Sequence, residues 1–173
     1  RVTGVQTCAL PISEFEILSY DCETYTVKKG QKVFVEEPYK IEKCAEELIG
    51  LTGVRFSMDT AVSKGQTIKL KLKEDSILLV GYYNSSGLQW LQVPDLETNT
   101  HADDRGGLSP VVQNAVKVAG CPVVNIHAFH YDAGSHEIYM GTGGFMIAGV
   151  LKEGSKLIER NAEMTGEALE NLD

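Results

Sequence analysis

Between the charged run KLKED and the polar turn NSSG lie eight residues, SILLVGYY, that are apolar on both faces from Ile77 to Tyr83. Side chains alternate across a strand, so a strand apolar on both faces must be covered on both sides. The rest of the chain therefore has to supply neighbours on its flanks and a layer above and below it. Other segments fit that demand. In QTIKLKLKE, Ile68, Leu70 and Leu72 face one way and Lys69, Lys71 and Lys73 the other, as in a sheet with one wet face. GFMIAGVL, after the turn GTGG, reads as a second buried strand.

Short strands broken by glycine and polar turns recur about every ten residues, which predicts an all-β fold, a β-sandwich of jelly-roll type with at most one or two short helices. EFEILSY is the first strand. TYTVKKGQKVFVE reads as two strands around KKGQ, and VRFSMDTAV returns to alternation. LQWLQV is the expected hairpin partner of SILLVGYY, and VVNIHAFHY with HEIYM forms a hairpin around DAGS. Residues 41–50 are either a short helix through Ile41, Cys44, Ala45, Leu48 and Ile49 or a 3₁₀-like crossover. Residues 110–120 begin like a helix at Ser109-Pro110, but their valines favour a strand.

The first residues stand apart. Residues 2–12 resemble, codon for codon, a translated short-read sequencing adapter, so they are excluded from fold reasoning. The reading frame is then expected to come from assembled environmental DNA, with its natural start upstream of Ser13 or lost. The expected division is a leader over 1–13, loosely attached, a β-sandwich domain over 14–152, and a tail over 153–173 that is weakly amphipathic and a candidate helix. Removing Arg1, the only charged residue among the first twelve, moves the formal net charge from −8 to −9. An acidic chain without a Lys/Arg stripe repels phosphate, so neither nucleic acid nor an anionic membrane surface is an expected partner. No apolar run approaches the ~20 residues that span a bilayer, so no membrane insertion is expected. Setting Cys8 aside leaves Cys22, Cys44 and Cys121, too far apart in sequence for a zinc motif; free buried thiols and a single disulfide both stay open.

Three groups of residues could carry chemistry. His127 and His130 tempt one towards a metal, but i and i+3 on a strand point to opposite faces. A small jelly-roll metalloprotein or metalloenzyme using these histidines is thus the alternative reading. His130 and Glu137 could instead pair across the hairpin. The aperiodic stretch PDLETNTHADDRGGLSP carries His101, Asp103, Asp104 and Arg105. On a loop, two carboxylates and a guanidinium could grip sugar hydroxyls, or the carboxylates could hold a structural Ca²⁺, the one cofactor entertained; alternatively Arg105 pairs with a neighbouring Asp and anchors the loop. Adjacent acids on one loop do not face each other across a cleft as glycoside hydrolysis requires. Trp90, near Tyr82 and Tyr83, is either a stacking face for a pyranose ring or ordinary core. Burial of all three would mark a structural role.

The runs LTGVRFSMDTAVS, ILLVGYYNSSGLQWLQVPDLETNTHADDRGG and VNIHAFHYDAGSHEIYMGTGGFMIAGVL resemble galactose-binding-like jelly-roll modules of polysaccharide-degrading proteins from gut and environmental Bacteroidetes. The resemblance covers roughly residues 24–152. It implies a non-catalytic accessory module beside a catalytic domain in the same polypeptide, in the periplasm or at the surface of a Gram-negative cell. It also implies a polysaccharide or oligosaccharide partner, with His101, Asp103, Asp104, Arg105 and Trp90 as the candidate ligand-binding residues from the reading above. No catalytic residue is assigned.

Overall fold

The computed structural model describes residues 10–85, 87, 89–92 and 106–164. In chain order the strands are β1 (Phe15–Ile17), β2 (Glu23–Thr26), β3 (Ile41–Cys44), β4 (Thr52–Arg55), β5 (Thr67–Leu72), β6 (Ser76–Tyr83), β7 (Pro110–Val118), β8 (Val123–Tyr131), β9 (Gly134–Tyr139), β10 (Phe145–Lys152) and β11 (Arg160–Asn161). A 3₁₀ turn (Glu46–Leu48) follows β3, and one short helix, α1 (Met58–Ser63), follows β4. The fold is all-β. Its larger sheet runs β11-β7-β8-β6-β10-β4-β2, with β3 also on β7; its smaller sheet runs β1-β5-β9.

Every residue of β6 is buried, and β6 lies antiparallel between β8 and β10. A strand apolar on both faces is stable only where neither face meets water, and the centre of the larger sheet is that place. The one hydroxyl at its start is satisfied: Ser76 shares a 2.6 Å hydrogen bond with Ser13 and donates to the Glu74 carbonyl. Gly81 keeps β6 close to its cover, since a Cβ there would press on Val124 and Met146. In β5 the alternation holds, with Ile68, Leu70 and Leu72 buried and Lys69 and Lys71 exposed.

Several pairings differ from the sequence reading. β8 and β9 do not form a hairpin: residues 132 and 133 carry the chain from the larger sheet to the smaller one, where β9 pairs with β5 from Thr67↔Tyr139 to Leu72↔Gly134. Residues 89–92 form no strand beside β6, and Trp90 makes a single parallel bridge to Gly144. The second strand expected after KKGQ is reduced to isolated bridges, Lys32↔Lys40 and Phe34↔Phe56, because β2 takes β4 as its partner. Residues 41–50 adopt the crossover form, a strand and then a 3₁₀ turn. Residues 110–118 are a strand.

Residues 58–63 form α1 instead of continuing the alternation, because two side chains cap its N-terminus. The Ser57 hydroxyl accepts from Thr60 N, and the Glu36 carboxylate accepts from Met58 N (2.8 Å), Asp59 N (3.2 Å) and the Ser57 hydroxyl (2.6 Å). Three orphan donors at the helix start are thus satisfied, one through the residue that caps locally and two by a carboxylate from a distant loop. Burial acts to raise the Glu36 pKa, but the hydrogen bonds from Ser57, Met58 and Asp59 outweigh it and hold the group below the ordinary carboxylate value. Replacing Glu36 by alanine is expected to cost about 0.5–2 kcal/mol at neutral pH. Since the folded pKa is depressed, this difference is complete above the ordinary carboxylate value and is lost as pH falls through the folded one. Urea titrations of both proteins across acid pH measure it; a pH-independent gap would assign the loss to packing.

Residues flanking the 14–152 stretch also bond to the sheets. Residues 1–9 lie outside the described residues, but Ser13 N donates to Val150 O, Lys152 N donates to Pro11 O, and Ile12 bridges Leu151. At the other end the described tail, 155–164, is extended and contains no helix. Its β11 lies parallel to β7 at Val112 and Gln113, Ala162 N and Met164 N donate to Gln113 O and Asn114 O, and Arg160 grips Glu47 through two hydrogen bonds of 2.8 and 2.5 Å. Asn114, at φ 49, breaks the β7 ladder there and donates from its amide to Asn161. Leu157 and Ala162, apolar positions that suggested a helix, instead pack on the core from an extended strap.

Candidate functional site

Four of the five residues singled out for ligand binding, His101, Asp103, Asp104 and Arg105, lie outside the described residues. The two ends of their loop are described. At the entry, Trp90 is only 6% exposed, with its ring 4.6 Å from that of Tyr83. Its bridge partner Gly144 leaves room for it: a Cβ there would stand 3.0 Å from Trp90 Cε3 and 2.9 Å from Met58 Sδ. Tyr82 and Tyr83 are buried as well. Trp90 thus packs into the core at the loop entry, against Tyr83 and in the space beside Gly144.

At the exit, Gly106 (φ +79) lies against His130, and Gly107 is covered by the Phe129 ring, which a Cβ at that position would overlap. His127 Nδ1–H donates to the Gly107 carbonyl at 2.8 Å, and the ring meets Tyr82 edge-on at 5.1 Å. Burial pushes the His127 pKa below its ordinary value against the opposing pull of the Gly107 bond. The imidazole is thus neutral at neutral pH, with its proton placed on Nδ1 by that carbonyl. It acts as a clamp on the loop exit.

His130, on the opposite face of β8, is exposed and pairs with Glu153 at 2.9 Å. The two histidines point apart as the i, i+3 spacing requires, and each has a protein partner. Glu137 does not meet His130; it stands opposite Lys69. His136 donates from Nε2 to the Asp132 carbonyl. Among the described residues no group of three His, Cys, Asp or Glu side chains is placed to share a metal ion.

The remaining reactive groups are quiet. Cys22, Cys44 and Cys121 are free, and burial pushes their thiols up to about 12, about 12 and about 11 respectively, so none is a thiolate nucleophile at neutral pH. Among the described residues, two open grooves can be described. One, of about 240 Å³, runs along β7 and β11 beside Gln113, Arg160 and Asn161, with Glu159 as its acid. The other, of about 340 Å³, lies between Phe15, Thr24, Thr52 and Lys73, with Glu14 as its acid. A single carboxylate in each does not make the facing pair used in glycoside hydrolysis.

No protein-family model matches this sequence, and no curated protein matches it. Among solved structures it is similar to a GH138 enzyme targeting pectin rhamnogalacturonan II, with a TM-score of 0.81 and 26% identity over 90% of this chain. The chain spans 18% of the length of that one. Its fold is thus that of a β-rich part of a carbohydrate-active protein.

Proposed function

We propose that this chain is a non-catalytic, galactose-binding-like accessory domain of a larger polysaccharide-degrading protein. It contacts glycan weakly or packs against a catalytic neighbour in the same polypeptide, in the periplasm or at the cell surface. The observation that carries this reading is the likeness itself: nearly the whole chain matches, yet it matches less than a fifth of a carbohydrate-active enzyme. A unit of that kind is a part added to a catalytic chain more readily than a whole enzyme. The residues proposed to contact sugar are His101, Asp103, Asp104 and Arg105. Among the described residues no helix is long and apolar enough to cross a membrane.

The test combines affinity electrophoresis in gels containing pectic and neutral polysaccharides with a reducing-sugar assay on the same substrates. Weak retardation without sugar release is expected, reduced in Asp104→Ala. Retardation by none of them would leave the packing role, and release of sugar would overturn the non-catalytic reading.

A further inference from the structure

The outer strands of the two sheets are short, with one exception. β9 has six residues, against four in β2 and in β3, three in β1 and two in β11. It pairs with β5 on one side only, in unbroken register from Thr67↔Tyr139 to Leu72↔Gly134. Which backbone groups that ladder uses follows from the other side of β5. Leu18 N and Ser19 N donate to Lys69 O, Lys69 N donates to the Ser19 hydroxyl at 2.7 Å, and Lys73 N, just beyond β5, donates to Glu14 O. Odd-numbered residues of β5 thus turn towards β1, and Ile68, Leu70 and Leu72 turn towards β9. Opposite these stand Ile138, His136 and Gly134. The N–H and C=O groups of Ser135, Glu137 and Tyr139 therefore point away from the sheet. All three residues are exposed, and among the described residues none of those backbone groups has a hydrogen-bond partner.

An open edge of this kind recruits a further strand, and folded proteins suppress that with prolines, bulges, edge lysines or a covering segment. This fold does cover one edge, since β3 and β11 lie along the outer side of β7. β9 is different: its sequence GSHEIY holds neither proline nor lysine, and its register has no bulge. Its acid is Glu137, at the middle of the edge. Lys69 is the register partner of Glu137, yet among the described residues Glu137 forms no ion pair. Antiparallel pairing of two copies through all three outward residues would set Glu137 against Glu137, and like charges directly opposite destabilise a strand pair. A lysine or arginine in that place gains instead. The far end of the edge is ordered in advance, because the Tyr139 hydroxyl donates to Lys64 O and is bonded to Thr142 Oγ1, both at 3.3 Å. Docking on a backbone already held in place costs less entropy.

We infer that the outer edge of β9, from Ser135 to Tyr139, is a docking site for an extended segment of a partner protein that carries a lysine or arginine opposite Glu137. The segment adds a fourth strand to the smaller sheet, with main-chain hydrogen bonds supplying affinity and the basic residue supplying register. Its residues on either side of the basic one fall on the face of Ile138, which is buried, and are apolar. The inference goes beyond the glycan reading and does not depend on it.

The test is a nuclear magnetic resonance titration of the isotope-labelled full chain with an end-capped peptide of alternating threonine and valine around one central lysine. The amide signals of Ser135, Glu137 and Tyr139 are expected to shift and their hydrogen exchange to slow, while exchange at His136 and Ile138, already bonded to β5, changes little. Glu137→Pro should abolish these changes: its N–H points outward, so proline there spares the β5 ladder and removes a donor from the outer one. Glu137→Lys should weaken binding of the lysine peptide roughly fivefold and strengthen binding of the same peptide with glutamate at its centre. Circular dichroism of both variants checks that the fold is kept. No change at the three outward amides, or equal binding by the parent and Glu137→Pro, would overturn the site. Equal affinity of the parent for the lysine and glutamate peptides would overturn the basic partner. Protection of the three amides without peptide, together with a dimer mass in sedimentation, would give the edge to a second copy and overturn the inference as well. Glycan retention is read in a separate experiment, so either reading can fail alone.

Discussion

Replacing Trp90 by alanine is expected to lower the stability of the domain by about 3–5 kcal/mol, a large share of the 5–15 kcal/mol typical of a domain. Trp90 is 6% exposed, packs on Tyr83 at 4.6 Å, and fills the space left by Gly144 beside Met58. Truncation removes that contact and leaves a cavity that backbone around Gly144 can close only in part. Urea denaturation followed by circular dichroism measures the loss. Because Trp90 is the only tryptophan, the parent's emission should report a buried indole that shifts to the red on unfolding. A stacking platform would behave in the opposite way, with stability unchanged and glycan retention lost. That result would return Trp90 to the ligand-binding set.

Phe145→Ala should be comparably damaging, about 3–5 kcal/mol, for a different reason. Phe145 is fully buried and stacks on Phe56 at 4.5 Å; Phe56 meets Phe34 edge-on at 5.6 Å, and Phe34 meets Tyr39 at 5.3 Å. This chain of rings ties β10, through Phe145, to the segment around residue 34, which has few ladder bonds of its own. The loss is therefore expected to include loosening of residues 32–40, seen as faster amide exchange there, as well as a lower urea midpoint. Tyr20→Ala supplies the contrast: a fully exposed ring should change stability by less than about 0.5 kcal/mol. A Phe145→Ala midpoint equal to that of Tyr20→Ala would refute the assignment of the core.

Much of the architecture was legible because alternation reports exposure directly. The two-faced apolar run of β6 placed it at the centre of a sheet, and the Ile68, Leu70, Leu72 pattern gave the buried face of β5. The i, i+3 spacing of His127 and His130 put them on opposite faces, where they are. The errors have a common form. Assigning β8 and β9 to one hairpin, or residues 88–93 to β6, assumed that neighbours in sequence are neighbours in the sheet. That holds often, but not when another strand offers a better buried surface. The helix at 58–63 has a local signal in Ser57 followed by Asp59, while two of its three capped donors are satisfied by Glu36, which no local pattern reveals. Trp90 was ambiguous for a similar reason: its burial depends on Tyr83, Met58 and the missing side chain of Gly144.

By itself, then, the sequence determined that β5, β6 and β10 become strands, which face of β5 is dry, and that β6 lies inside. These are properties of side-chain period and hydrophobicity, and each is decided within a few residues. The tertiary structure alone decided that β9 joins β5, that the tail pairs with β7, and that Trp90 is buried. Closing a longer loop costs little more than closing a shorter one, so pairing partners are selected by the total surface the two sheets bury together. No single segment carries that quantity.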